Sequence, residues 1–516
     1  MKRIITFIIL LGTIQLQAQV FSENALFFAQ SSFGGTARFQ GLAGATTALG
    51  GDISNAANNP AGLGFIRKGQ YTITPTLNLN NANATLFGEQ TNDNRLNFNI
   101  NHFGLTITNG KGATQRGTFA ITYTKLNDFN SAFTYEATNS NNTIVDFLLN
   151  EADLSIPYDD LFNQVDFGIV DIFGLAYNNF LINPDYRDTL PAECGGVCTD
   201  TYSSFRFEPI RQSEEVVRRG SHHEWDFAYG GHINNRVYLG VSVGIQSIRF
   251  EEQKTYREQT IQGAFEFDNL ELIEELDITG TGVNLEIGSI IRITDRIRLG
   301  LTATTPTVIR VNDLYQASLS TNYRADSLAV FFEKQINGEW FDFEIVYDDI
   351  PRNNFAETEV LEAEYNIVTP YRLKGGLSFF LGKKGFISAD AEYVGYRSTR
   401  LRALANNEDV ENEFIRNTYK NAWNIRIGGE ARLADFRVRA GFAYYGHPYE
   451  NNPDAEANLL LTGGLGYRNK KFFADIAFVG QAQNFQYNPY FIGDGSPNVD
   501  VDDTNIRMNI TVGSYF

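Results

Sequence analysis

The chain has 516 residues, enough for two or three ordinary domains or for one large closed barrel. Its net charge of −19, from 61 acidic and 42 basic residues, argues against a nucleic-acid partner, because phosphate contacts need a basic footprint. Mean hydropathy is −0.25, a value shared by water-soluble proteins and by transmembrane β-barrels, whose lipid-facing and lumen-facing residues alternate.

In chain order, the first element is a short basic start, Met1-Lys2-Arg3, followed by the almost wholly apolar residues 4–16 and the small-residue site Leu16-Gln17-Ala18. This reads as a signal peptide over 1–18, too short to span a membrane. No later apolar run reaches the length of a spanning helix. Next comes a compact Gly/Ala-rich stretch, GLAGATTALGGDISNAANNPAGLGF at 41–65, too apolar for a linker. Asp52 is expected to cap a short helix from Ile53, and Pro60 to end it, with Asn59 held in the pre-proline conformation. Residues 19–67 are expected to plug the lumen of a barrel built from the remaining chain.

That remaining chain, 68–516, alternates with period two. Tyr71, Ile73, Leu77 and Leu79 are apolar against Thr72, Thr74, Asn78 and Asn80; Ile506, Met508, Ile510 and Val512 alternate with Arg507, Asn509 and Thr511. About fourteen strands are predicted, near 68–80, 94–108, 116–129, 223–234, 236–251, 276–293, 295–311, 368–382, 384–400, 422–433, 435–447, 458–468, 470–484 and 504–516. Very short connections such as Asn234-Asn235 and Ala434-Asp435 alternate with long ones, the longest near 130–222 and 312–367. That asymmetry, with 13 % aromatic residues, predicts an all-β transmembrane barrel of antiparallel strands, with periplasmic turns and long outer loops, in a Gram-negative outer membrane.

Several residues stand out. In the second strand Leu96, Phe98 and Ile100 set one phase and Phe103, Leu105 and Ile107 the other; the switch at Asn101, His102 and Phe103 predicts a bulge and a candidate gate. Asp390, Glu392, Arg426, Glu430, Arg432, Arg437 and Arg439, joined by Arg372 and Lys374, form a charge belt inside the lumen, read as an ion-pair ladder that anchors the plug or as a binder of a carboxylate head group. Cys194 and Cys198 read as a local disulfide in an exported chain, since no histidine lies nearby to complete a metal set. Ser221-His222-His223-Glu224 is the only dense nucleophile–base cluster, and neighbours on a strand point to opposite faces, so no catalytic site is expected. No phosphate-cradling glycine motif occurs, and no cofactor or metal is expected.

With Asp52, Asn59, Pro60 and Ala61 in place, the 41–65 stretch resembles the N-terminal hatch of the FadL/TodX group of outer-membrane transporters for long-chain fatty acids and other hydrophobic molecules. The resemblance implies a fourteen-stranded barrel plugged by this hatch, and passive uptake of a hydrophobic small molecule: capture by outer loops, passage into the lumen, a hatch shift, and exit sideways through the wall. Implied surroundings are outer-membrane lipids and lipopolysaccharide. The alternating last strand ending at Phe516 resembles the signal read by the barrel assembly machinery. The same hatch motif resembles PorV, which gives the alternative of a secretion-associated or structural barrel that binds protein partners.

Overall fold

The computed structural model describes residues 21, 24–30, 34–109, 115–184, 202–204, 209–261, 267–324, 327–336, 339–348, 351–403, 408–450 and 457–516. Residues 1–18, expected to be a signal peptide, and the pair Cys194 and Cys198 lie outside them.

Fourteen antiparallel strands form the wall. They are β1 (Gln70–Leu86), β2 (Glu89–Asn109), β3 (Gln115–Asp128, continued by Ser131–Asn139), β4 (Ile210–Ile233), β5 (Val237–Thr260), β6 (Phe267–Arg292) and β7 (Ile297–Thr304, continued by Val308–Tyr323). Next come β8 (Leu361–Val368 and Arg372–Phe380), β9 (Gly385–Val394), β10 (Ala422–Leu433), β11 (Phe436–Tyr445), β12 (Asn458–Arg468), β13 (Phe472–Tyr487) and β14 (Val499–Tyr515). Each pairs with its neighbours in sequence, and β14 pairs back onto β1 from Gln70↔Tyr515 to Thr85↔Asp500, so the sheet closes. Closure matters because an open edge in lipid leaves backbone groups without partners.

Side-chain alternation turns one face outward. Along β5, Val237, Leu239, Val241, Val243 and Ile245 are all exposed, while Tyr238 and Ser242 between them and Gln246 just after them are buried. Eight residue steps make about 27 Å of strand, which at a tilt of roughly 40° rises about 21 Å, most of the about 25 Å height of the apolar band of such barrels. The short turns sit below this belt. Asn234 and Asn235 both have positive φ (50° and 53°), as the two central residues of a type I′ turn require, and Arg236 N closes that turn on Ile233 O at 3.2 Å.

Above the belt the strands run further than the sequence suggests. β4, β5 and β6 are 24, 24 and 26 residues long, so most of the supposed gap at 252–275 is strand, as are 210–222 and 312–323. The alternation there is hidden because both faces carry polar residues: Gln212 and Glu214 point inward, Arg211 outward. The remainder of the 130–222 interval holds helices Ile144–Ser155, Tyr158–Phe167 and Ile172–Asn178. The first starts with a capping box, in which Thr143 accepts from Asp146 N and Asp146 accepts from Thr143 N at 2.7 Å. Leu148, Leu161, Leu175, Leu181, Tyr256 and Phe267 form the core of this outer cap.

Candidate functional site

Residues 34–65 lie across the lumen. The helix Ala37–Gln40 packs on β12, β13 and β14, and the turn of helix Pro60–Phe65 packs on β3, β4, β5 and β6 at the other side. Close approach depends on glycine. Gly230, Gly240 and Gly288 lie opposite one another on β4, β5 and β6. A Cβ on Gly240 would sit 2.2 Å from the Pro60 carbonyl carbon, and one on Gly288 would sit 2.0 Å from Asn59 Oδ1. Gly428 and Gly441, paired on β10 and β11, seat Leu42 in the same way.

Asp52 caps a 3₁₀ turn, Ile53–Ala57, accepting from Ser54 N at 3.0 Å. Pro60 does not end that helix, which stops at Ala57. It opens a second 3₁₀ turn, Pro60–Phe65, with Asn59 as the cap: φ −156°, ψ 96°, accepting from Ala61 N at 3.1 Å. Proline suits a first helical position, where its missing N–H would have no partner. Asn59 Nδ2 also donates to Thr47 O at 2.7 Å and to Ser289 O of β6 at 3.2 Å.

The charged residues of β8 to β11 face this segment. Arg38 lies 3.4 Å from Asp52 and 3.6 Å from Glu430; Glu430 also accepts from Arg439 at 2.9 Å and Arg432 at 3.0 Å, and Arg439 pairs with Asp475 at 2.6 Å. Glu392 pairs with Arg426 and, at 3.7 Å, with Arg372. Asp390 accepts from Thr47 N at 2.9 Å, and Lys374 reaches Asn58 Oδ1 at 3.4 Å and Glu286 at 3.8 Å. Arg437 stays at the rim on the carbonyls of Ala434 and Phe436. Each of the belt's arginines thus has a carboxylate or backbone-carbonyl partner, and contacts of Glu430 with Arg38, Asp390 with Thr47 and Lys374 with Asn58 join the belt to the 34–65 segment.

Above the segment is an apolar chamber walled by Ile248, Phe250, Ile278, Ile309, Val311 and Ile367. Helical residues 24–29 fill it: Leu26 and Phe28 are buried, and the Phe27 ring lies 5.0 Å from Phe129 and 5.3 Å from Phe250. Arg372 donates to Ala29 O at 2.6 Å, and Asn127 to Gln30 O at 2.5 Å.

Beside the chamber the wall is incomplete. The β1–β2 register slips by one between Thr74, opposite His102, and Pro75, opposite Ile100, so Asn101 is the extra residue. Pro75 has no N–H to give to the ladder, which is the physical reason the slip falls here. The slip turns Leu96, Phe98 and Ile100 outward above it and Leu105 and Ile107 outward below. The β2–β3 ladder starts at Asn109↔Gly117 and stops at His102↔Thr124; above that point, among the described residues, β2 has a backbone ladder with β1 alone, and Thr91 Oγ1 at its top donates to Thr134 O of the β3 continuation. Side chains bridge the opening: Asn99 Nδ2 donates to Asp128 at 2.8 Å and Asn97 Nδ2 at 3.1 Å. Further in, opposite Asn78 on the β1–β14 ladder, is the lumen-facing Arg507. Among the described residues it has no ion pair, and its buried Nε and Nη2 have no hydrogen-bond partner.

Asn101 was legible from the phase switch; Asp128 and Arg507 were not singled out. Pro75 inside an alternating run was the one available signal for the cause. The Ser221–Glu224 cluster is split by the strand: His222 is buried on Gln246 at 3.2 Å while His223 faces Tyr123 on the outer side.

No protein-family model and no curated protein sequence matches the chain. Solved structures do. A FadL homologue from Pseudomonas aeruginosa is 12 % identical with a TM-score of 0.53, covering 94 % of this chain and 99 % of that one. The toluene transporter TodX of P. putida is 11 % identical with a TM-score of 0.50, over 94 % and 99 %. The chain has the FadL/TodX-type fold. At such low identity the likeness carries architecture. The slip at Pro75, the Asp128 bridge and Arg507 belong to this FadL-type barrel's own residues.

Proposed function

We propose that the chain is an outer-membrane channel for passive uptake of hydrophobic compounds, and that its cargo includes amphiphiles with an anionic head, such as long-chain fatty acids. In this reading 1–18 is a signal peptide, 19–67 a hatch and 68–516 the barrel, with Phe516 presented to the assembly machinery. No cofactor or catalytic step is involved. The observation that carries the reading is the stretch where β2 and β3 lack a backbone ladder, level with the lipid-facing Leu96 and Phe98 and next to an apolar chamber. A water-filled pore has no use for a side opening at that height; a molecule that partitions into lipid does. Cargo entering from the cap displaces Leu26 and Phe28 from the chamber. Its head group meets Arg507, whose free N–H donors suit a carboxylate, and its tail leaves between Asn99 and Asp128.

The test is a reversible bridge across the opening. In Asn99→Cys/Asp128→Cys, oleate uptake into proteoliposomes should fall several-fold after oxidation and recover on reduction. Undiminished uptake by the oxidised protein would sink the lateral route. One feature favours the second reading, a barrel that grips another protein: Phe162, Val165 and Phe167 are exposed on one helix of the outer cap, Phe167 by 83 %. Mass spectrometry of the detergent-purified protein separates the two, through a co-purifying lipid or a stoichiometric protein.

A further inference from the structure

In a chain of net charge −19, the lower rim of the barrel is basic. Arg236 sits on the β4–β5 turn and Arg296 on the β6–β7 turn; Lys383 and Lys384 form the β8–β9 turn, Lys470 and Lys471 the β12–β13 turn. Arg67 and Lys68 lie where the plug segment runs into β1. All eight are exposed, and among the described residues of the lower turns only Asp295 and, on the β10–β11 turn, Asp435 are exposed acids. Asp295 is already paired with Arg292 at 3.2 Å. The upper end has the opposite sign, with Glu275, Glu357, Glu362, Asp500 and Asp502 exposed.

The height of the cations identifies what they meet. Each lies within a few residues of a side chain that faces lipid: Arg236 between Ile233 and Val237, Arg296 after Ile293, Lys383 after Leu381, Lys471 before Phe472. Phe516, itself 65 % exposed, donates its backbone N–H to Gly69 O beside Lys68. At the edge of an apolar belt a long basic side chain lays its stem on hydrocarbon and lifts its charge to the level where acyl chains end. We infer that this rim is a binding surface for the phosphate groups of anionic phospholipids in the periplasmic leaflet. An acidic protein below the barrel would meet the same charge, but it gives no reason for the cations to track the belt's edge strand by strand. Each Lys or Arg near an anionic surface adds to the attraction, and salt screens it. The inference does not rest on a transport function.

Spin-labelled lipids test it on the full chain in phosphatidylcholine proteoliposomes. Spin-labelled phosphatidylglycerol should associate with the protein at least three-fold more than spin-labelled phosphatidylcholine at low salt, and the ratio should approach one in 1 M NaCl. Lys383→Gln/Lys384→Gln/Lys470→Gln/Lys471→Gln should lower the ratio at low salt while keeping the heat-modified gel mobility of the folded barrel. Equal association of both lipids with the wild type overturns the inference, as does a quadruple variant with the full preference. Equal lipid association together with tight binding of polyglutamate overturns it in favour of an acidic protein partner.

Discussion

Replacing Gly240 by valine tests whether the 34–65 segment seals the barrel. The new Cβ would lie 2.2 Å from Pro60 C and 2.3 Å from Ala61 N, both backbone atoms, so no side-chain rotation relieves the clash. Either β5 bends, against its ladders with β4 and β6, or the Pro60–Phe65 turn lifts. The turn is the softer party: it is fastened by the two hydrogen bonds of Asn59 Nδ2, by the Gly51 N bond to Gly62 O and by the Phe65 ring stacked on Tyr238 at 3.7 Å, whereas β5 is held by continuous ladders on both sides. Overpacking of this kind typically costs about 1–3 kcal/mol, which raises the fraction of molecules with the seat vacated by roughly 5- to 150-fold. Liposome swelling in arabinose reads the result: near-zero permeability for wild type, and measurable influx for Gly240→Val. The matched control is Gly463→Val, where an added Cβ has nothing within 4 Å; it should stay sealed. If folded Gly240→Val is as tight as wild type, the segment is not the seal.

Three further outcomes are expected. Asp52→Asn keeps an acceptor for Ser54 N but weakens the hold on buried Arg38, which retains Glu430 at 3.6 Å; removing one partner of a buried pair costs about 3–5 kcal/mol, less here because of that second carboxylate, and protease cleavage within 34–65 should accelerate. The outer cap should loosen with rising pH. On the upper extensions of β4 and β5, far above the belt, burial pushes the carboxyls of Glu214 and Glu258 up to about 7, against hydrogen bonds from Tyr487 and Tyr135 to the first and from Tyr256, Ile144 N and Gln212 to the second. Raised acids stabilise the fold fully below their unfolded value near 4.5 and progressively less up to about 7, so amide exchange in helix Ile144–Ser155 should rise between pH 5 and 8 beyond its intrinsic base dependence; a flat corrected profile refutes this. Arg507→Gln should weaken oleate binding about ten-fold and leave a neutral hydrocarbon such as dodecane unaffected, measured by displacement of a fluorescent apolar probe; equal losses for both would assign Arg507 a purely structural part.

The sequence by itself determined the closed barrel. Alternation along strands such as Val237 to Ile245 leaves one greasy face, the exchange of very short and long connections together with the aromatic content marks a membrane barrel, and lipid tolerates no unpaired strand edge, so closure follows from these taken together. The place of the bulge was also written locally, in the phase change at Asn101 and the proline at 75, because which face a side chain takes is a one-dimensional property of its strand. The extent of β4, β5 and β6 was not, since above the membrane nothing forces their outer face to be apolar. What only the tertiary structure decided are pairings between residues far apart in the chain. Asn99 meets Asp128 because a ladder ends at His102, Arg38 finds Glu430 across the lumen, and Arg507 has no ion pair among the described residues while Arg372, Arg426, Arg432 and Arg439 each have one. Those outcomes depend on register and on which strands become neighbours once the cylinder closes, and no local pattern of residue types specifies them.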